Sequence, residues 1–215
     1  MKKKIFCILL SALMLFSVTG AQAVINNFYL RTRYGQLALY ENLVYNYAIG
    51  VYSGFYMYSD DQLNAIWESS GKEDMQDEVY DFRHWLSPDR TYGFQIQVKE
   101  QTYASFEEEV KNAPNYIALT RPSLENAGYI NIHQLHDGIL RDTPEGKMLE
   151  TAYTFDIPND DGSTLHITVV YYDCYYQDIE YIFEVTSYNG DYETAQYLLH
   201  EMVSTVDIWP AGTVQ

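Results

Sequence analysis

Two segments near the C-terminus set the tightest limit on how this chain can fold. Thr164 to Tyr176 and Ile179 to Tyr188 are rich in strand-forming residues and apolar or aromatic on both parities. In the first, Ile167, Val169 and Tyr171 lie on one side, and Val170, Tyr172 and Cys174 on the other. A strand with one wet face alternates apolar and polar residues, whereas a strand apolar on both sides has to be covered on both. The chain therefore needs a sheet with a layer on each face, and these two segments belong at its centre.

The covering layers are legible as helices. Asp191 is placed to cap a final helix whose Ala195, Leu198, Leu199, Met202, Val203 and Val206 follow helical spacing and form one apolar stripe. Ser59-Asp60-Asp61-Gln62 and Ser105-Phe106-Glu107-Glu108 are capping boxes, in which the serine accepts an amide proton and the residue three places on reaches back. The first opens a helix carrying Leu63, Ile66 and Trp67 that ends at Gly71, before a charged loop from Lys72 to Asp77. The second opens a helix that Pro114 interrupts, with a further piece from Pro122 to Gly128.

The remaining segments are strands. Leu37 to Tyr52 supplies one or two, Gly54 breaks the run, and Phe55 to Tyr58 is a short one. Val79 to Leu86, with Tyr80, Phe82, His84 and Leu86 on one parity, turns through Ser87-Pro88-Asp89-Arg90 into Tyr92 to Lys99. There Phe94, Ile96 and Val98 alternate with Gln95, Gln97 and Lys99, leaving one wet face. Ile130 to Leu140 and Met148 to Ile157 join through Thr143 to Gly146, and Asn159-Asp160-Asp161-Gly162 turns the chain into Thr164 to Tyr176. Tight turns between consecutive strands imply antiparallel pairing. The expected fold is α+β, an antiparallel meander sheet covered by helices on both faces, an α/β/α sandwich.

Met1 to Ala23 has the three parts of an export signal: Lys2, Lys3 and Lys4, then the apolar stretch Ile5 to Val18, then the small-x-small site Ala21-Gln22-Ala23. The apolar run is short for a membrane span of about 20 residues. Cys7 lies at the start of that run and not after it, so the chain is not read as a lipoprotein. The expected organisation is a signal at 1–23, a loosely structured arm at 24–36, a single α+β domain at 37–210 and a tail at 211–215. The expected location is secreted, periplasmic or attached to the cell surface, with no integral membrane segment after cleavage.

Cleavage removes three lysines and no acid. It leaves 10 basic against 30 acidic residues in 192, a net charge of −20 where the full chain has −17. That balance argues against nucleic acid, which requires a basic face, and against anionic lipid. Cys174 is then alone, so disulfide stapling within the chain is ruled out. Its neighbours Asp173, Tyr175 and Tyr176 would raise a thiol pKa, which favours a buried small hydrophobe over a nucleophile.

The order of elements resembles the PsbP-like fold family, which includes the extrinsic photosystem protein and many bacterial secreted homologues. The resemblance covers roughly Val44 to Ile208. It rests on the element order and on the closing segment Tyr181-Ile182-Phe183-Glu184-Val185 followed by the helix Tyr192 to Val206. It implies an accessory or binding role rather than catalysis and transfers no functional residue.

Motifs for chemistry are sparse. The histidines are His84, His133, His136, His166 and His200, with no His-Glu-x-x-His; His133 and His136 would point to opposite faces of a strand. No nucleophile elbow, phosphate loop or dinucleotide fingerprint occurs. No cofactor is expected. Calcium is an ion that the surplus acid could attract, but Asn159 to Gly162 is too short for an EF-hand loop. Among the 22 tyrosines two clusters stand out, Tyr45 to Tyr58 and Tyr171 to Tyr181. They are either core or a recognition surface, since tyrosine joins rigid apolar area to a polar tip.

The expectation is a non-catalytic binding domain for an unknown protein or small-molecule ligand, acting as a monomer or weak homodimer. Its candidate ligand-binding residues are Tyr172, Tyr176, His166, Tyr56 and Tyr58. The alternative is an extracytoplasmic hydrolase that places a histidine beside an acid in a cleft, or a protein partner docking through the arm or a sheet edge.

Overall fold

A computed structural model describes residues 29–70, 79–159 and 161–210. The leader, the start of the arm, the charged loop, Asp160 and the tail lie outside the described residues, as does the side chain of Trp67. In chain order the elements are helix α1 (residues 29–34), strands β1 (Leu37–Asn42), β2 (Tyr47–Tyr52) and β3 (Tyr56–Met57), and helix α2 (Asp60–Ser70). Strands β4 (Val79–Leu86) and β5 (Tyr92–Glu100) come next, then helix α3 (Phe106–Asn112), a 3-10 turn (Ala113–Asn115) and helix α4 (Tyr116–Asn126). Strands β6 (Ile130–Gln134), β7 (Ile139–Thr143), β8 (Gly146–Pro158), β9 (Thr164–Tyr176) and β10 (Ile179–Ser187) follow. Helix α5 (Tyr192–Val203) and strand β11 (Asp207–Ile208) close the chain.

The main sheet runs β3-β4-β5-β10-β9-β8-β6, antiparallel throughout, with β7 on the other half of β8. The segments apolar on both parities, β9 and β10, sit in its interior as their sequence requires. Their even side, Val170, Tyr172 and Cys174 with Phe183 and Val185 across the ladder, joins a core with Leu198, Leu199 and Met202 of α5. Their other side, Ile167, Val169 and Tyr171, joins a second core with Tyr116, Ile117 and Leu124 of α4. The class is α+β.

The first face has a second cover that periodicity does not announce. β1, β2 and β11 form a separate three-stranded antiparallel sheet, and Tyr47, Ile49 and Val51 of β2 enter the same core as α5. The end of the predicted arm belongs here too. Residues 29–34 are helical, and Leu30 and Tyr34 are buried, because one helical turn places i and i+4 on the same side. That part of the chain is core rather than a free arm.

Local signals held where they rest on hydrogen-bond chemistry. Ser59 Oγ accepts from Gln62 N at 3.3 Å while Gln62 Oε1 accepts from Ser59 N at 2.9 Å. Ser105 Oγ accepts from Glu108 N at 3.2 Å, and Asp191 Oδ1 from Thr194 N at 3.0 Å. The α5 stripe from Ala195 to Val206 is buried throughout.

Pro114 interrupts the helical segment as expected, sitting in the 3-10 turn after α3 ends at Asn112, but the second piece starts earlier than expected: α4 runs from Tyr116 with Pro122 inside it. In β4 the buried positions are Asp81 and Trp85, and a bulge between Val79 and Asp81 interrupts the ladder with β5. Ile130 to Leu140 is two strands, not one. The chain leaves one end of the 13-residue β8 after β6 and rejoins the other as β7. Gly138 makes that passage at φ +91°, where a Cβ would stand 2.7 Å from Ala113 Cβ.

Candidate functional site

On the α4 side of the sheet, α3 and α4 stop short of β10 and β5. A cavity of about 440 Å³ lies between them and the sheet, within the range of small-molecule sites. Its floor is Leu149 of β8, Tyr171 of β9 and Ile182 of β10, and Tyr116 forms part of its wall. Leu119 and Thr102 stand exposed at its rim. Those apolar and aromatic groups are joined by three carboxylates, Glu109 of α3 and Glu180 and Glu184 of β10. A fourth, Asp173, lies directly across the ladder from both Leu149 and Ile182, which puts it on the same face just behind them.

The four acids are not equally provided for. Glu180 Oε2 accepts the Thr102 N–H at 2.8 Å, and Lys99 Nζ lies 3.5 Å from Glu180 Oε1. Glu184 Oε1 accepts from Thr186 Oγ1 at 2.9 Å. By contrast Asp173 is 1% exposed and both its oxygens lack a donor, as does Oε2 of Glu109, which is 9% exposed. Two such carboxyls facing each other satisfy one another only when one keeps a proton to donate. Burial, and after it the charge of Glu180, pushes the Glu109 carboxyl up to about 7. Burial and the charges of Glu109 and Glu180 hold Asp173 well above the carboxylate range. The phenols stay neutral, since burial pushes Tyr116 up to about 12 and Tyr171 well above its usual value. The surplus negative charge of the cavity therefore resides in carboxylates, offset by Lys99.

The sequence holds a signal for this site that the pattern of strands obscures. Phe106 and Glu109 share one side of α3, and Ala113 follows them at helical spacing in the 3-10 turn, so an acid stands on an apolar stripe. Asp173 falls on the buried parity of Val169 and Tyr171, and Glu180 and Glu184 on that of Ile182. Acids on buried parities are seldom tolerated without a partner or a purpose.

The residues singled out from sequence lie elsewhere and do not converge. Tyr172 is 1% exposed on the α5 side of the sheet, its hydroxyl 3.5 Å from His200 Nδ1, and Tyr176 is half-buried against the same core. His166, six residues or roughly 20 Å along the strand from Tyr172, is exposed, with Nδ1 2.6 Å from Asp156 Oδ1. Tyr56 and Tyr58 do stand together, 5.9 Å between rings, and border a separate hollow of about 380 Å³ with Gln62 and Arg90. Cys174 is buried, and burial and Asp173 raise its thiol, so it serves as core. Among the described residues no histidine lines the acidic cavity. Among the described residues no group of three His, Cys, Asp or Glu is arranged to hold a metal ion, and no helix is long and apolar enough to cross a membrane.

These carboxyls make stability depend on pH in two opposite ways. Between about pH 4.5 and 7 the folded protein keeps the Glu109 proton that the unfolded chain has released, so stability falls as pH rises through that window. Asp89 and Glu150 act in reverse. Burial would raise both, but Ser87, Thr91 and Arg33 hold Asp89 at about 2, and His136, Arg141 and Gln196 hold Glu150 at about 2. Their contribution is present above the ordinary carboxylate value and lost as pH falls toward 2. Chemical denaturation across pH should therefore show a maximum near about pH 5; a steady rise from pH 4 to 8 would contradict it.

No protein-family profile matches the chain, and no curated protein matches it in sequence. Solved structures do match it in three dimensions. The PsbP protein of the cyanobacterium Synechocystis aligns over 81% of this chain and 93% of its own, with TM-score 0.52 and 11% identity. The Ran-binding protein Mog1p of Saccharomyces cerevisiae aligns over 80% of this chain and 96% of its own, with TM-score 0.45 and 12% identity. A Bacteroides thetaiotaomicron protein aligns over 80% of this chain and 48% of its own, with TM-score 0.41 and 12% identity. The fold is PsbP-like.

Proposed function

We propose that this chain is an exported, non-catalytic binding protein whose ligand occupies the acidic cavity between α3, α4 and the sheet. The observation that carries this reading is the cavity itself: about 440 Å³, preformed, with apolar and aromatic walls and buried carboxylates not fully provided for by the protein. The leader-like N-terminus supports export, and the PsbP-like fold is compatible with an accessory role. Catalysis with a histidine finds no support at this cavity, because its lining contains none. The exposed His166–Asp156 pair sits on a strand end, away from it.

The test is a fragment screen read by backbone amide shifts. Binding fragments should move the amides of Thr102, Tyr103, Glu109 and Ile182 together. Shifts confined to Tyr56, Tyr58 and Arg90 would move the site to the other hollow, and no shifts at either would remove the reading.

A further inference from the structure

Resting on that reading, we propose that the cavity takes a small organic cation, its ammonium or guanidinium head paired with Glu109 and its carbon body lying on Leu149, Ile182 and Tyr116. Glu109 lines the cavity, is nine-tenths buried, and has only the Tyr175 hydroxyl and the equally buried Asp173 as its partners, neither of them a positive charge. A charged N–H donor is the partner that suits a buried carboxylate best.

The charged surroundings point the same way from every packed element. From β5, Lys99 is engaged by Glu180 and by Thr102 Oγ1 at 2.9 Å. From β10 come Glu180 and Glu184, and from β9 comes Asp173, enclosed behind the floor. The facing phenols, Tyr103, Tyr116, Tyr171 and Tyr175, are raised and neutral, and Tyr175 OH accepts the Tyr103 N–H at 3.1 Å. An anion entering here would meet up to four carboxylates and one engaged lysine. A cation meets a favourable potential and tyrosine rings beside it. The apolar floor selects for a head carried on a hydrocarbon body rather than a bare ion.

Binding is coupled to a proton. In the empty cavity Glu109 and Asp173 retain a proton between them, which is how two facing carboxyls avoid two adjacent charges. The incoming cation supplies the neutralising charge from outside, so that proton leaves to solvent. Asp173 acts through Glu109 and is a positioning residue.

Isothermal titration calorimetry tests this with cadaverine and agmatine against 1,5-pentanediol, glutarate and calcium chloride, each in Tris and in phosphate at neutral pH. The amines should bind, with heats that differ between the buffers as a released proton requires. Glu109→Gln should weaken them at least tenfold. Asp173→Asn should keep amine affinity within a few-fold while abolishing the buffer dependence, a change that a purely structural role would not produce. Tyr56→Ala should bind like the parent. Preference for pentanediol or glutarate, with cavity amides shifting, would overturn the cation proposal and leave the binding reading standing. Calcium displacing the amines would overturn it in favour of a metal. Failure of every probe here and of every fragment above would remove both.

Discussion

Replacing Glu150 with alanine should be the most destabilising single change of a polar residue in this protein. Glu150 is 0% exposed and lies at the junction of β8, β7 and α5. Arg141 Nε donates to Glu150 Oε2 at 2.6 Å, Gln196 Nε2 and Tyr192 OH donate to Oε1 at 2.9 and 3.2 Å, and His136 Nε2 lies 3.2 Å from Oε1. Truncation leaves all of these without their acceptor and strands the Arg141 charge beside the core. Removing one partner of a buried charged network costs about 3–5 kcal/mol. For a protein of this size that lowers the melting temperature by roughly 10 °C. Glu150→Gln keeps the volume and one acceptor oxygen and should recover part of the loss. The measurement is thermal unfolding at neutral pH. An unchanged midpoint for the alanine variant would show that β7 and α5 do not depend on this carboxylate.

Asp173→Asn should do the opposite and raise stability. The aspartate is enclosed with two unpartnered oxygens beside Glu109, so each rise in pH opposes its burial. The amide has the same shape, cannot ionise, and offers N–H groups that Glu109 can accept. The gain should be on the order of 2 kcal/mol at pH 8, within the cost of leaving a buried acceptor without a donor, or roughly 5 °C in midpoint. It should shrink toward pH 4 and vanish below about pH 3, where the acid is protonated in both states. Denaturation of both proteins at pH 4 and pH 8 reads this directly. A residue whose neutral substitute makes the fold more stable is one whose acidity the fold itself does not need. That would fit a retained function, since binding sites commonly hold groups that burden the native state. Equal stability of the two proteins at pH 8 would remove this support.

Two kinds of information are separable in this chain. Local chemistry was legible: Ser59, Ser105 and Asp191 cap the helices they precede, Ser87 to Arg90 turns its hairpin, and the Gly162 N–H donates to Asn159 O where the β8–β9 turn was expected. Where periodicity is interrupted, tertiary packing overrides the local pattern. Pro122 sits inside α4 because the rest of the helix packs on the sheet, and Ile130 to Leu140 divides because one long partner strand has room for two short ones. The tyrosine clusters were visible as composition, but no local rule separates a tyrosine that fills a core from one that lines a cavity. Tyr47, Tyr52, Tyr172 and Tyr181 proved to be the former, while Tyr103, Tyr116 and Tyr171 line the cavity.

By itself the sequence determined the α+β class, the interior place of β9 and β10, the apolar stripe of α5 and the helix caps. Each follows from contacts between residues a few places apart or from one repeating period. Only the tertiary structure decided that Glu109 meets Asp173, Glu180 and Glu184. Those acids lie on a helix and on two strands some 60 to 75 positions further along. Their convergence depends on the β9–β10 register and on where α3 docks, and no local pattern encodes either.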